Sequence, residues 1–396
     1  MSDERMEKYA EVAVRVGADV QPGQEVFLQS LVEHAPVTRA LARQAYRAGA
    51  SYVNVLYNDI GQHLHRATIE LGPEEALGRT PQWLKTFTES MAGNAMLATV
   101  GDPDPELSEG LDPERVGRAT LLEFQEIRQR QHRANSVNWC AIGAPSLGWA
   151  RQIYGEPDVE RLWNEIAFCM RLDEPDPVQA WREHLDRLDA RAAALTELRP
   201  DAIHYRGPDT DLTVGLLPKA RWVSARFRTS GGIDYVANMP TEEIFTTPDS
   251  TRADGTIRAS LPLVRDGQLI RGLELTLRDG RIVDVAAEQG VEVVRAHLQT
   301  IENADRLGEL ALVTGDSRVG QSGTIFFNTL FDENATCHIA YGAGLPYPFE
   351  DGATEGMNLA QIHVDFMVGG PELEVDAVLA EGGEVPLIRN ETWQLD

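Results

Sequence analysis

Lysine is nearly missing from this 396-residue chain. Lys8, Lys85 and Lys219 are its only lysines, and arginine supplies the rest of 36 basic residues against 62 acidic ones. The formal charge of -26 would repel the phosphates of nucleic acids and anionic membranes, so partners of that kind are excluded. Cysteine is scarce as well. Cys140, Cys169 and Cys337 are widely separated and form no Cys-x-x-Cys pair, which excludes a disulfide framework and a thiolate zinc knuckle. No apolar run is long enough to span a bilayer. The first residues, Met1-Ser2-Asp3-Glu4-Arg5, lack a secretory signal pattern. A cytoplasmic, reduced enzyme is expected.

What is present divides in two. Helical periodicity over residues 4–16 is followed by a short strand, Glu25-Val26-Phe27-Leu28. Pro36 opens a helix that Gly49 closes, and Ser51 to Tyr57 alternates as a strand. Further strands are expected at Asn94–Val100 and Ser136–Ile142, and long helices at Val159–Arg171 and Pro177–Leu198. This β-α-β rhythm predicts a parallel or mixed sheet. After Arg199-Pro200 short alternating strands take over, separated by Arg265-Asp266-Gly267 and Arg278-Asp279-Gly280, in which Asp-Gly signals hairpins. The expected organisation is an α/β domain over 1–198 and a β-rich α+β catalytic domain over 199–396.

Candidate chemistry concentrates in the second half. Gly323 to Leu330 is β-branched and aromatic and reads as a strand leading into Phe331-Asp332-Glu333-Asn334-Ala335-Thr336-Cys337-His338. His363 and Asp365 are two apart and would share a face of a strand. Glu333 and His338, five apart, match neither a helical nor a strand face and need a turn, for which Asn334 is suited. Imidazole with carboxylate suits zinc, cobalt or manganese. A His-x-Asp pair taken alone is more often an ordinary hydrogen-bonded pair than a ligand set. Glu309 heads an apolar strand, where it could meet a cation or solvent, and Glu242-Glu243 lie between two prolines. His63 and His65, at the start of an expected helix, read as surface residues. Cys337 beside His338 has no base arranged for it and reads as packing.

Several long segments, in order, resemble the aminopeptidase T family of two-metal aminopeptidases, which includes the PepS and AmpS enzymes. They are Lys8–Gly17, Gln21-Pro22-Gly23-Gln24, Ala45–Ala50, Asn138-Trp139, Thr210–Val214, Asn238–Pro248, Gly308–Val313, Phe331–His338 and His363–Gly369. The resemblance implies two divalent ions (zinc, cobalt or manganese) held by Glu243, Glu309, Glu333, His338, His363 and Asp365, with Glu309 as the bridge. It implies a metal-activated water attacking the first peptide bond of short peptides, and Glu333 as ligand or general base. The family's tyrosine position is Leu345 here; Tyr347, or else Tyr341, would take the role of stabilising the oxyanion. Asp209 stands where the family has glycine. A homodimer enclosing the metals is also implied. Two alternatives stay open: a mononuclear iron(II) ring-cleaving dioxygenase using His338, His363 and Asp365, and a metal-free homologue that has lost its chemistry.

Overall fold

The computed structural model describes residues 3–58, 63–101, 110–119, 121–350 and 354–395. By internal contacts the chain forms two units, Met1–Arg182 with Arg226–Met239, and Glu183–Ala225 with Pro240–Asp396. The division falls inside the helix Pro177–Leu198, ahead of the boundary expected at residue 198.

The first unit is built on a five-stranded sheet in the order Asn238–Met239, Asn138–Gly143, Ala95–Val100, Glu25–Leu31, Tyr52–Asn58. Every pairing in it is parallel. The helix Ala35–Arg47 provides the crossover between the last two strands, with Pro36 in its first turn, where a missing N–H costs nothing. Buried Phe27, Met91, Met96 and Val137 pack together on this framework. His63 and His65 fall in the helix His63–Leu71, and their side chains lie outside the described residues. No helix among the described residues is long and apolar enough to cross a membrane.

The second unit contains an eight-stranded sheet and a five-stranded sheet, both antiparallel. The expected Asp-Gly turns are there. Asp266 (φ 51°) with Gly267 (φ 73°) and Asp279 (φ 50°) with Gly280 (φ 76°) take the left-handed conformation that two-residue hairpins require. Asp209 adopts φ 51°, which explains how an Asp serves at a turn where glycine is the usual solution. The five-stranded sheet runs in the order His363–Met367, His338–Gly342, Leu307–Leu312, Ile244–Thr246, Val223–Ser224. Its Leu310, Ile339 and Phe366 join the main core of the unit with Leu195, Ile203 and Tyr205.

The strand expected over 323–330 is a correction. Gly323, at φ 64°, closes the helix Arg318–Ser322, and a second helix, Thr329–Asp332, starts soon after. Between them the buried Asp332 carboxylate accepts from Phe326 N at 2.7 Å and Asn328 N at 3.0 Å. A side chain has taken the donors that a neighbouring strand would have used, and Phe327 is held at φ 52°. β propensity, which reports how well a residue fits a pleated surface, is overridden there.

Candidate metal centre

Register in the five-stranded sheet brings the carboxylates together. Ala340 lies directly opposite both Glu309 and Asp365, one on each neighbouring strand. Residues so paired project to one face, so the two acids flank Ala340 on the same side. A bulge at Gly308 adjusts the pairing ahead of Glu309. Glycine is needed there because a Cβ would come within 2.1 Å of Ala343 O. His338 opens its strand opposite Ala311 and Met367, and His363 sits opposite Gly342. Glu243 immediately precedes the strand Ile244–Thr246.

The turn expected between Glu333 and His338 is present. Glu333 caps the helix Thr329–Asp332, the backbone turns through Asn334, and His338 begins the next strand.

His338 Nε2 lies 3.0 Å from Glu243 Oε2. His363 Nε2 lies 3.0 Å from Glu309 Oε2 and 3.1 Å from Asp365 Oδ1. The other ring nitrogen of His363 is 2.7 Å from Ala343 O, which fixes the ring and turns Nε2 toward the acids. Two groups of metal-competent atoms result, each gathered within 4.8 Å: Glu243, Glu309 and His338, and Glu309, His363 and Asp365. Glu309 belongs to both.

The donors fit a cation. His338 Nδ1 is buried without a hydrogen-bond partner, and Glu243 Oε2 and Asp365 Oδ1, although 3.0 and 3.1 Å from histidine Nε2 atoms, receive no hydrogen bond of good geometry. Buried polar atoms left in that state are costly, and a positive ion among the carboxylate oxygens would remove the deficit. Electrostatics report the same crowding. Burial raises the carboxyl of Glu309, with His363 opposing the shift and Asp365 and Glu243 adding to it. Burial tends to lift Asp365 too, but the His363 imidazolium outweighs it and Asp365 stays below its ordinary value. Burial works against charge on His338, yet Glu243, Asp365 and Glu309 raise it to about 10, and Asp365 and Glu309 lift His363 well above its usual value.

Glu333 belongs to neither three-membered group. Burial, then the charges of Asp365 and Glu243, push its carboxyl well upward, which places it beside the same centre. Tyr341 projects from the strand position next to Ala340 and so to the opposite face, where its hydroxyl meets His297 Nδ1 at 2.9 Å. It is thereby committed elsewhere. Leu345 is tied through its backbone to the hydroxyl of Thr247. Tyr347, two residues on, has its hydroxyl raised to about 12 by burial. Cys337 packs as expected, its thiol donating to Val313 O at 3.3 Å and raised to about 12 by burial.

Glu242, His184 and Asn334 complete the surroundings, and sequence reasoning gave the first two no part. Glu242 Oε2 lies 3.2 Å from His184 Nε2, both side chains buried, and Oε1 accepts from Arg318 N. Asn334 Oδ1 accepts from Glu242 N at 2.7 Å, so the residue after Glu333 is fastened to the residue before Glu243. The Glu-Glu dipeptide was a visible signal for one partner; nothing in the sequence links His184 to it.

Comparison with known proteins gives this arrangement its class. The family model for thermophilic metalloprotease (M29) matches residues 2–393, and the chain belongs to that family of peptide-bond hydrolases. Among individual relatives, aminopeptidase T of Thermus aquaticus is 41% identical over 407 residues, covering 98% of each chain. Aminopeptidase PepS of Streptococcus thermophilus is 38% identical over 407 residues, again covering 98% of each. The solved structure of wild-type AmpT from Thermus thermophilus superposes with a TM-score of 0.90 at 38% identity, covering 98% of this chain and 99% of that one. The chain is a metalloprotease of the aminopeptidase class, and the dioxygenase alternative is set aside.

Proposed function

We propose that this enzyme removes the N-terminal residue of short peptides at a centre of two divalent ions bridged by Glu309. One ion would be held by Glu243, Glu309 and His338, the other by Glu309, His363 and Asp365. The observation that carries this reading is the membership of Glu309 in both groups of donors. When bound, the ions would polarise the scissile carbonyl and acidify a water.

The chain's own groups supply the rest. Burial and the neighbouring acids raise the Glu333 carboxyl in the ion-free protein; cations at the centre would oppose that shift, and as a carboxylate Glu333 accepts a proton from the attacking water and delivers it to the leaving amine. Tyr347 stays protonated because burial raises its hydroxyl, so it can donate to the developing oxyanion. Zinc, cobalt and manganese all suit such a donor set, and availability selects among them. The working assembly is a homodimer in the cytoplasm.

The test is elemental analysis of chelator-stripped, reconstituted protein with leucyl-p-nitroanilide turnover followed in parallel. Two ions per chain with restored turnover are expected. A single iron without peptidase activity, or no ion at all, would overturn the proposal, and a fully active monomer on gel filtration would remove the dimer from it.

A further inference from the structure

We infer that Ala340 sets the number of ions the centre holds, because two of the proposed ligands converge over its methyl group. This rests on the dinuclear reading above. Neighbouring strands lie about 4.8 Å apart, so side chains on either side of a middle strand start about 10 Å from each other. Glu309 and Asp365 flank Ala340 in that way. Each nevertheless brings an oxygen into one group, with His363, whose atoms all lie within 4.8 Å. The two carboxylates must therefore lean inward above residue 340. A branched side chain at that position would occupy the space where they meet.

Small size is confined to this face of the strand. Ile339 and Tyr341, the neighbours of Ala340 in sequence, point to the other face and are large and fully buried. Bulk is therefore accommodated on that opposite face of the same strand. Another proposed ligand also faces a small residue, His363 opposite Gly342, whereas His338 has Ala311 on one side and Met367 on the other. Gly342 has a backbone reason for its size, since it sits at φ 99° and a Cβ would come within 2.1 Å of Ile362 O. No such backbone demand accounts for Ala340, which is left as the floor of the Glu309–His363–Asp365 set.

Ala340→Val tests this, because valine is β-branched and keeps the strand's preference for extended backbone. Ion content after reconstitution is read by elemental analysis, the absorption spectrum of the cobalt-loaded protein reports the coordination that remains, and circular dichroism reports the fold. Ala340→Val is expected to hold one ion where the parent holds two, with turnover lost, while Ala340→Gly keeps both ions. Two ions in Ala340→Val at parental affinity and turnover would overturn the inference. Should Ala340→Val fail to fold, Ala340→Ser adds a single atom. Titration is then expected to show the second ion bound about 10–100-fold more weakly, the scale on which changes around a metal site act; unchanged affinity would overturn the inference. A parent chain that itself binds fewer than two ions would instead remove the dinuclear reading, so the two failures are distinguishable.

Discussion

Replacing Glu309 by glutamine separates a bridging carboxylate from an ordinary one. Glu309 Oε2 is 3.0 Å from His363 Nε2 and contributes to both groups of donors. Glu309→Gln keeps the shape and removes the charge that both ions would share. Asp365→Asn and Glu243→Gln each touch one group only. A polarising cation contributes several kcal/mol to transition-state stabilisation. Taking about 4 kcal/mol, its loss lowers kcat by about 10³-fold. Glu309→Gln is therefore expected to bind less than one ion per chain and to lose at least that factor. Each of the other two variants should retain one ion. The metal-free fold should survive the change: burial already disfavours the Glu309 carboxylate, and His363 keeps Asp365 at 3.1 Å. The assay is elemental analysis with turnover, alongside thermal melts of the stripped proteins. Glu309→Gln with two ions and kcat within tenfold of the parent would refute the bridge. So would loss of both ions from Asp365→Asn alone.

Tyr347→Phe should lower kcat by about 10²–10³-fold, the usual cost of losing one oxyanion donor, with KM and ion content unchanged. Tyr341→Phe should leave kcat unchanged, since that hydroxyl is engaged with His297, and parental turnover in Tyr347→Phe would exclude it from the chemistry. In the first unit, His34 is buried and its imidazole is lowered to about 4 by desolvation, with Nδ1 3.0 Å from Thr99 Oγ1. The unfolded chain then binds the extra proton between the ordinary value of about 6.5 and about 4. Stability from this group is complete above that window, falls as pH is lowered through it, and levels off below, for a total of about 3 kcal/mol. His34→Gln should flatten the acid limb of the urea-denaturation profile by that amount, and an unchanged slope would contradict the assignment.

Local patterns in the sequence were informative where the structure is itself local. Asp-Gly turns, the parallel β-α-β beginning, and the shared strand face of His363 and Asp365 all depend on neighbours in the chain. The meeting of Glu309 with Glu243 and Asp365 depends instead on register between strands far apart in sequence, set by a bulge at Gly308 that no pattern announces. The 323–330 segment misled for a related reason. Its residues suit a strand, but Asp332 captures Phe326 N and Asn328 N and turns the chain into a short helix ending at Glu333. Without that capture Glu333 would alternate with strand neighbours and would not approach His338 from a helix end.

Glu242 and Glu243 show how neighbouring acids acquire different work. Both are buried. Glu242 is satisfied within the protein by His184 and Arg318 N, so it needs no ion. Glu243 keeps Oε2 without a hydrogen bond, facing His338. The histidines divide as well. His184 has Arg187 at Nδ1 and Thr241 O with Glu242 at Nε2, and His297 has Tyr341 and Asp266 at its two nitrogens. His338 leaves Nδ1 without a partner, and His363, anchored through Nδ1 on Ala343 O, presents Nε2 to two carboxylates. Residue type alone makes all four histidines and both glutamates candidates. An unmet hydrogen-bonding demand marks Glu243 and His338, and for His363, partnered at both nitrogens, it is the convergence of Glu309 and Asp365 on one Nε2 that sets it apart from His184 and His297.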